Sequence, residues 1–498
     1  MGWGSAGARA SAQRGGGLAV HAENIVFAAI CAAILLFVFI TPPFQAPDED
    51  QHWYKAVLLS EGRLLAGRQG ELTGAVLPRD AIELPRSDFP RERPGVAWRA
   101  SPSEIAQAWG KDAGRSDTAF VQFPNLANYS AILYLPQAAG IAAAEAFGLP
   151  RLSGFYFGRL FNALAAIALL GFAVAAMPWG RAALLAAAAL PTFAFQAGSL
   201  SADASINGFA FLALALSLRL GDAAHRKGWP LLAAAPFLGM AKGVYLPVLI
   251  AGLRWPANAR DRRFWMFAVA AAFAAAAFLG WMLYSGGEPS LYTTVSRKTG
   301  LQATTAPMAD QLAIILADPL QYVRILLGSF TERFPVYLLQ IVGRPGWNAF
   351  LLPLLAYPLA GLMIAAALCS GGGPRASWGQ RLWWLLLALG GAVLVETALY
   401  LTGTPYAADY VQGVQGRYFL PLLPLLLLAV MPQDVPQPWQ SRARKVFAGS
   451  ASLLLAIGLL SALDSFWLHG FTTVEGMPPI GSGAGGGARG LLLPSPRW

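Results

Sequence analysis

In the run Pro47-Asp48-Glu49-Asp50-Gln51-His52, three consecutive acids and a histidine stand a few residues after an apolar stretch long enough to cross a membrane. Charged residues make up only 12% of the 498-residue chain, so such a concentration calls for a reason. A carboxylate costs up to ~3 kcal/mol at the centre of a bilayer and less near its surface, so acids kept at that boundary point to a site. Asp48, Glu49 and His52 are therefore candidates for proton transfer during catalysis. The structural reading of the same run is a helix start, since acids favour the first turn and Pro47 suits a first helical position. If 47–60 is helical, Asp48 and His52 share a face. Trp53, Ala56 and Val57 then offer an apolar face for docking on the bilayer.

Further polar residues flank other apolar runs. Asp203 ends the turn Ser199-Leu200-Ser201-Ala202-Asp203, Lys242 separates two short apolar stretches, and Gln415-Gly416-Arg417-Tyr418 leads into another. Acids from two loops, with basic residues at helix ends, suit an anionic substrate attached to a lipid. A carboxylate can serve as general base, and an arginine can form paired hydrogen bonds to phosphate. Each residue also has a structural reading. Asp203 could cap the helix that follows, and Arg417 and Lys242 could be anchors whose heads reach the headgroups. Asp48, His52 and Asp203 could hold a divalent cation, although two ligands four apart and one distant carboxylate make a weak metal pattern. Glu396, inside an apolar run, needs a partner or a proton, and reads as glue to a neighbouring helix.

The elements that must position these residues are membrane helices. Hydrophobic residues make up 56% of the chain, and mean hydropathy is +0.49. Repeated runs of about 17–23 apolar residues can each span a ~30 Å hydrocarbon layer. The net charge of +10 sits mostly in short loops, which indicates membrane orientation and not nucleic-acid binding. Cys31 and Cys369 alone cannot build a disulfide framework. Four basic connections mark the cytoplasmic side: Arg219, Arg226 and Lys227; Arg254, Arg260, Arg262 and Arg263; Arg375 and Arg381; Arg442, Arg444 and Lys445. Eleven spans then fall near 25–41, 155–177, 182–198, 204–219, 229–241, 243–253, 264–284, 348–369, 382–402, 418–431 and 446–464. The expected architecture is all-α and polytopic.

One apolar segment, Asn128–Phe147, cannot cross without inverting every later loop, and Pro136 lies within it. It is expected to lie on the outer leaflet, within a first external loop over 44–154. A later external loop over 285–347 contains Met308–Phe330, whose helical spacing of apolar residues is broken at Asp318-Pro319 and suits interfacial helices. Residues 1–24 and 465–498 read as flexible tails on opposite sides, and 25–464 as the membrane domain.

Three motifs, PPFQAPDEDQHW, SADASIN and GVQGRYFLPLLPL, resemble signatures of a bacterial membrane family catalogued as a domain of unknown function (DUF2142). That family is distantly similar to the GT-C superfamily of membrane glycosyltransferases, which use polyprenyl-phosphate-linked sugars on the outer membrane face. By this resemblance, Asp48 matches the catalytic acid of the first external loop and Asp203 the second acid. Arg417 matches the arginine that holds the lipid phosphate. No large C-terminal soluble domain and no WWD-type motif is present, which argues against protein N-glycosylation and leaves the acceptor open.

The resemblance implies a GT-C-like inner-membrane glycosyltransferase with a periplasmic site. It would transfer a sugar from a polyprenyl-phosphate donor to a glycan or lipid of the cell envelope. Asp48, Glu49, His52 and Asp203 would be the catalytic set, and Arg417, Tyr418, Lys242 and Gln415 the substrate-binding set, with a divalent cation compatible but not required. The alternatives are a lipid-linked sugar flippase and a non-catalytic assembly subunit. A flippase needs a polar path through the bilayer, and little beyond Glu396 would line one.

Overall fold

The computed structural model describes residues 4–70, 72–89, 99–110, 117–222, 224, 227–254, 260–286, 291, 293–296, 298–343, 352–371, 373 and 376–469. Arg226, Arg375 and most of the C-terminal tail lie outside these residues. The chain is mostly helical. Helix α1 (Gly4–Ile40) leads to α2 (Glu49–Ser60), and then come α3 (Arg79–Glu83), α4 (Pro102–Gly110), α5 (Leu135–Ala146) and α6 (Arg151–Ala176). Next are α7 (Arg181–Ala188), α8 (Pro191–Ala197), α9 (Asp203–Gly221), α10 (Trp229–Ala241), α11 (Arg262–Tyr284), α12 (Met308–Ala317) and α13 (Pro319–Gly343). The last four are α14 (Ala356–Cys369), α15 (Trp378–Gly403), α16 (Leu423–Val430) and α17 (Gln437–Leu463). The expected loop at the N-terminus is instead drawn into α1, which begins at Gly4.

Among the described residues, seven helices are long and apolar enough to cross a membrane: His21–Ile40, Arg151–Ala176, Asp203–Gly221, Arg262–Tyr284, Pro319–Gly343, Trp378–Gly403 and Gln437–Leu468. Six of them coincide with expected spans. Proline accounts for much of the difference elsewhere, since it removes a backbone donor and crowds the preceding turn. The expected span 182–198 divides at Leu190-Pro191 into α7 and α8, buried throughout except for Arg181 at the start of α7. The segment expected at 243–253 is a 3-10 helix, Gly243–Ile250, containing Pro247. The chain re-enters at Gly416–Leu422 as a 3-10 turn with Pro421, before α16.

Side-chain bonds collect the basic connections at one end. Gln380 donates to the carbonyls of Ala251 and Leu253, each at 3.3 Å. Arg381 donates to the carbonyl of Met431 at 2.6 Å, and Arg444 to that of Ser370 at 2.9 Å. The candidate site residues gather at the opposite end. Helix α13 was expected as a surface element, yet it has crossing length. Even so, its Tyr322 hydroxyl donates to Thr397 and its Gln340 side chain accepts from the Gly416 amide, so both regions of α13 are tied to the site half.

Asn128–Phe147 does not form one crossing helix. It contains a 3-10 turn, Ala131–Tyr134, and then α5, twelve residues long with Pro136 in its first turn. Gly140 allows α5 to lie directly on α6, since a side chain there would stand 2.4 Å from the Phe157 carbonyl. The docking expected for α2 is also revised. Trp53, Ala56 and Val57 are fully buried within the protein, and the Trp53 indole donates to the Ala81 carbonyl at 2.8 Å. Over this layer lies a small antiparallel sheet, β1 (Gly67–Gln69), β2 (Leu72–Pro78) and β3 (Thr118–Gln122), which the helical patterning did not announce. A second pair, β4 (Thr293–Val295) and β5 (Gln302–Thr304), lies in the later loop.

Candidate functional site

Two loops bring the acids together, and one ion pair ties the loops. Glu49, in the first turn of α2, is fully buried against Arg159, on α6. The Arg159 guanidinium donates to Glu49 Oε1 at 2.8 Å and Oε2 at 2.6 Å. Its remaining hydrogens go to the carbonyls of Val38, Thr41 and Pro42, at the end of α1. Glu49 Oε1 also accepts from the Leu200 amide at 3.0 Å. This last bond joins the Asp48 turn to the turn that carries Asp203. Asn162 adds a second tie, donating to the carbonyls of Ser199 and Ser201.

Asp48 itself has φ 54° and ψ 20°, a left-handed conformation that is uncommon away from glycine. Phe44, four residues earlier, is also left-handed, with φ 63°. Strained backbone of this kind persists where the surroundings over-determine it, and it concentrates at functional sites. Here the saturated Glu49–Arg159 pair supplies the constraint. Asp48 makes no side-chain cap bond to α2, so the helix-start reading does not account for its carboxylate.

Asp203 is the first residue of α9, its amide bonded to Ser201 Oγ. Facing it is Arg417, from the 3-10 turn before α16. The Nε–Oδ2 distance is 3.4 Å, longer than a good charge-assisted bond. Arg417 is 9% exposed, and its Nε and Nη1 are buried with no hydrogen-bond partner among the described residues. The turn is fixed from behind. The Gly416 amide donates to Gln340 at 2.6 Å, and any side chain at Gly416 would meet the Tyr337 carbonyl at 2.2 Å. Lys242 stands 4.5 Å over the Tyr418 ring, and the Arg417 guanidinium lies 5.3 Å from the same ring. The Tyr245 hydroxyl donates to the Tyr418 carbonyl at 2.7 Å.

The family model described as "Predicted membrane protein (DUF2142)" matches residues 31–426, which contain all of these groups. This chain belongs to the DUF2142 family. No curated protein matches it. The chain is similar to a crystal structure of ArnT from Cupriavidus metallidurans bound to undecaprenyl phosphate. The TM-score is 0.40 and the identity 13%, covering 88% of this chain and 77% of that one. The apo structure of the same ArnT gives a TM-score of 0.39 at 12% identity, covering 88% of this chain and 76% of that one.

In this DUF2142 protein, then, Asp203, Arg417, Tyr418 and Lys242 converge. Asp48 belongs to the same group: its charge and that of Asp203 both act on the phenols of Tyr129 and Tyr134, which burial first of all pushes up. His52 is 5% exposed, and its Nδ1 is 2.8 Å from the Tyr134 hydroxyl. Burial, followed by the Arg417 charge, brings His52 down to about 3, so the imidazole is neutral at physiological pH and a poor proton acceptor there. Its geometry is that of a group orienting Tyr134. Glu49 is likewise engaged in positioning. Gln415 contributes its carbonyl, which accepts from the Tyr418 amide and starts the 3-10 turn. Among the described residues, no three His, Cys, Asp or Glu side chains form a metal-binding group, and Asp48, His52 and Asp203 do not make one. Sequence reasoning overlooked Arg159, Tyr129, Tyr134 and Tyr245. Only Arg159 carried a signal, as a charge inside a 26-residue apolar helix.

Proposed function

We propose that this protein is a membrane glycosyltransferase that takes its sugar from a polyprenyl-phosphate donor on the periplasmic face of the inner membrane. The acceptor class would be a glycan or lipid of the envelope. One observation carries the reading: a buried arginine beside two acids keeps Nε and Nη1 without an acceptor among the described residues. Unsatisfied buried donors are costly, about 1–3 kcal/mol for a neutral group and more for a charged one. A phosphate diester or monoester oxygen pair is the geometry a guanidinium fork accepts best.

In the proposed reaction, Asp48 orients and deprotonates an acceptor hydroxyl, which attacks the anomeric carbon. The bond from that carbon to the phosphate oxygen breaks, and the electron pair leaves with the lipid phosphate. Arg417 neutralises the departing charge, held in place by Asp203, and Lys242 adds a second positive charge from over the Tyr418 ring. A single displacement inverts the anomeric centre.

The test is a donor-concentration series on transfer by purified protein. Asp48→Asn keeps the shape but cannot take the proton, so turnover should fall about 10²- to 10⁴-fold with donor binding retained. Arg417→Ala should weaken donor use about 10- to 100-fold, the worth of one or two charge-assisted bonds. Arg417→Lys should recover only part of that loss, because an ammonium lacks the planar fork. Full activity in Arg417→Lys would mean an interface anchor, and near wild-type turnover in Asp48→Asn would remove the base.

A further inference from the structure

At the end of the bundle opposite the acids, the middle of α1, where its crossing-length part His21–Ile40 starts, and the last turns of α6 border a cavity of about 400 Å³. It is lined by Glu23, Asn24 and Phe27 of α1, by Gly171, Val174 and Ala175 of α6, and by Arg181 at the start of α7. That volume falls in the range of small-ligand sites. The walls divide by chemistry: one acid, one amide and one arginine at the polar side, and small or aromatic apolar groups on the other.

Glu23 and Arg181 line the same cavity with opposite charge, yet they form no ion pair within 4 Å and no hydrogen bond among the described residues. The other arginine whose charge reaches Glu23 is Arg444, and it is engaged elsewhere, with the Ser370 carbonyl and Gln440. A carboxylate and a guanidinium that share a cavity without pairing present a bipolar seat. The apolar wall lies on α1 and α6, two helices long and apolar enough to cross a membrane. Gly171 keeps that wall low, with the Phe27 ring 3.5 Å from where a side chain would start.

We propose that this cavity binds a bilayer phospholipid with a zwitterionic phosphoethanolamine headgroup. Its phosphate sits on Arg181, its primary ammonium on Glu23, and its upper acyl carbons against Phe27, Gly171 and Val174. A primary ammonium donates hydrogen bonds that a carboxylate accepts, whereas a quaternary choline has none to give. The site is independent of the glycosyltransferase reading and stands or falls without it.

The test uses the full chain purified from mixed vesicles holding equal amounts of phosphatidylethanolamine, phosphatidylcholine and phosphatidylglycerol, with retained lipid counted by native mass spectrometry. Wild type should retain phosphatidylethanolamine about tenfold over either other lipid, the worth of one charge-assisted bond. Glu23→Gln should erase the preference while leaving phosphatidylglycerol retention intact, and Arg181→Gln should lower retention of all three. Gly171→Leu, which fills the apolar wall and favours the helix, should displace lipid without lowering the melting temperature. Soluble phosphoethanolamine should not compete at millimolar concentration. Equal retention of the three lipids by wild type would overturn the proposal, as would an unchanged preference in Glu23→Gln or ready displacement by the free headgroup.

Discussion

Two buried acid–arginine pairs, Glu49–Arg159 and Asp203–Arg417, are finished to different degrees. Around Arg159 all five guanidinium hydrogens have acceptors, two on Glu49 and three on the end of α1, and both partners are fully buried. Around Arg417 the Asp203 carboxylate is 3.4 Å away, Nε and Nη1 have no acceptor among the described residues, and Asp203 keeps 18% of its side chain exposed. A saturated pair holds structure together. An unsaturated one at the same boundary has bonding capacity left for something else. The contrast fits Glu49, despite its place among the acids, to positioning, and leaves Asp48, Asp203 and Arg417 as the residues of the proposed chemistry.

Stability gives the sharpest way to break that comparison. Removing one partner of a saturated buried pair leaves an uncompensated charge and costs about 3–5 kcal/mol. Glu49→Ala and Arg159→Ala should therefore lower the melting temperature in detergent by many degrees, or prevent recovery of folded protein. Arg417→Ala removes a long contact to a partly exposed Asp203 and two donors with no acceptor among the described residues, so its melting temperature should fall far less than that of either variant. Equal losses at Arg159 and Arg417 would erase the distinction.

A second prediction turns on pH. His52 is held neutral by burial, at about 3 against an ordinary 6.5. The unfolded chain takes up a proton as pH falls through 6.5, while the folded chain does not until about 3. His52 therefore makes stability fall with pH across that window, by on the order of a few kcal/mol in all. His52→Gln should flatten that part of a melting-temperature profile between pH 6.5 and 4. A slope unchanged by the substitution would show that other groups set the acid limit.

A third prediction sharpens which end of the molecule is which, with little effect on stability. Arg151 is a poor probe, because it is 8% exposed and bonded to Asp80 and Glu145. Phe147 is 76% exposed and better suited. In a Cys31→Ser, Cys369→Ser background, Phe147→Cys and Ser103→Cys should label with an impermeant thiol reagent from outside. Arg260→Cys should label only after the membrane is opened. Labelling of Phe147→Cys from the inside would put the whole acid-bearing end, Asp203 included, on the cytoplasmic side.

Much of this was legible in the chain, for identifiable reasons. Basic loops gave the common end because positive charge resists translocation, and long apolar runs gave six of the seven crossing-length helices. The acids stood out because charge is rare here. What could not be read was which acid works. Asp48 and Glu49 are adjacent, and only the partner contributed by α6, 110 positions away, separates their roles. The tyrosines around the site were equally silent, since a tyrosine near an interface is ordinary. Broken segments such as 182–198 misled because hydropathy alone does not register how Pro191 divides a run. The burial of α2 was hidden too: its apolar face fits a bilayer and a protein sheet equally well.

If Arg417 is unsaturated because a lipid phosphate completes it, ligand-induced stabilisation measures this most directly. A ligand that binds only the folded state raises the melting temperature in proportion to the logarithm of its concentration above Kd. Purified wild type should be stabilised by undecaprenyl phosphate and much less by undecaprenol, which has the same chain and no phosphate. Arg417→Ala should lose the difference between the two lipids while still melting as a folded protein by itself. If Arg417→Ala responds to undecaprenyl phosphate as wild type does, the guanidinium does not hold the phosphate and the account is wrong.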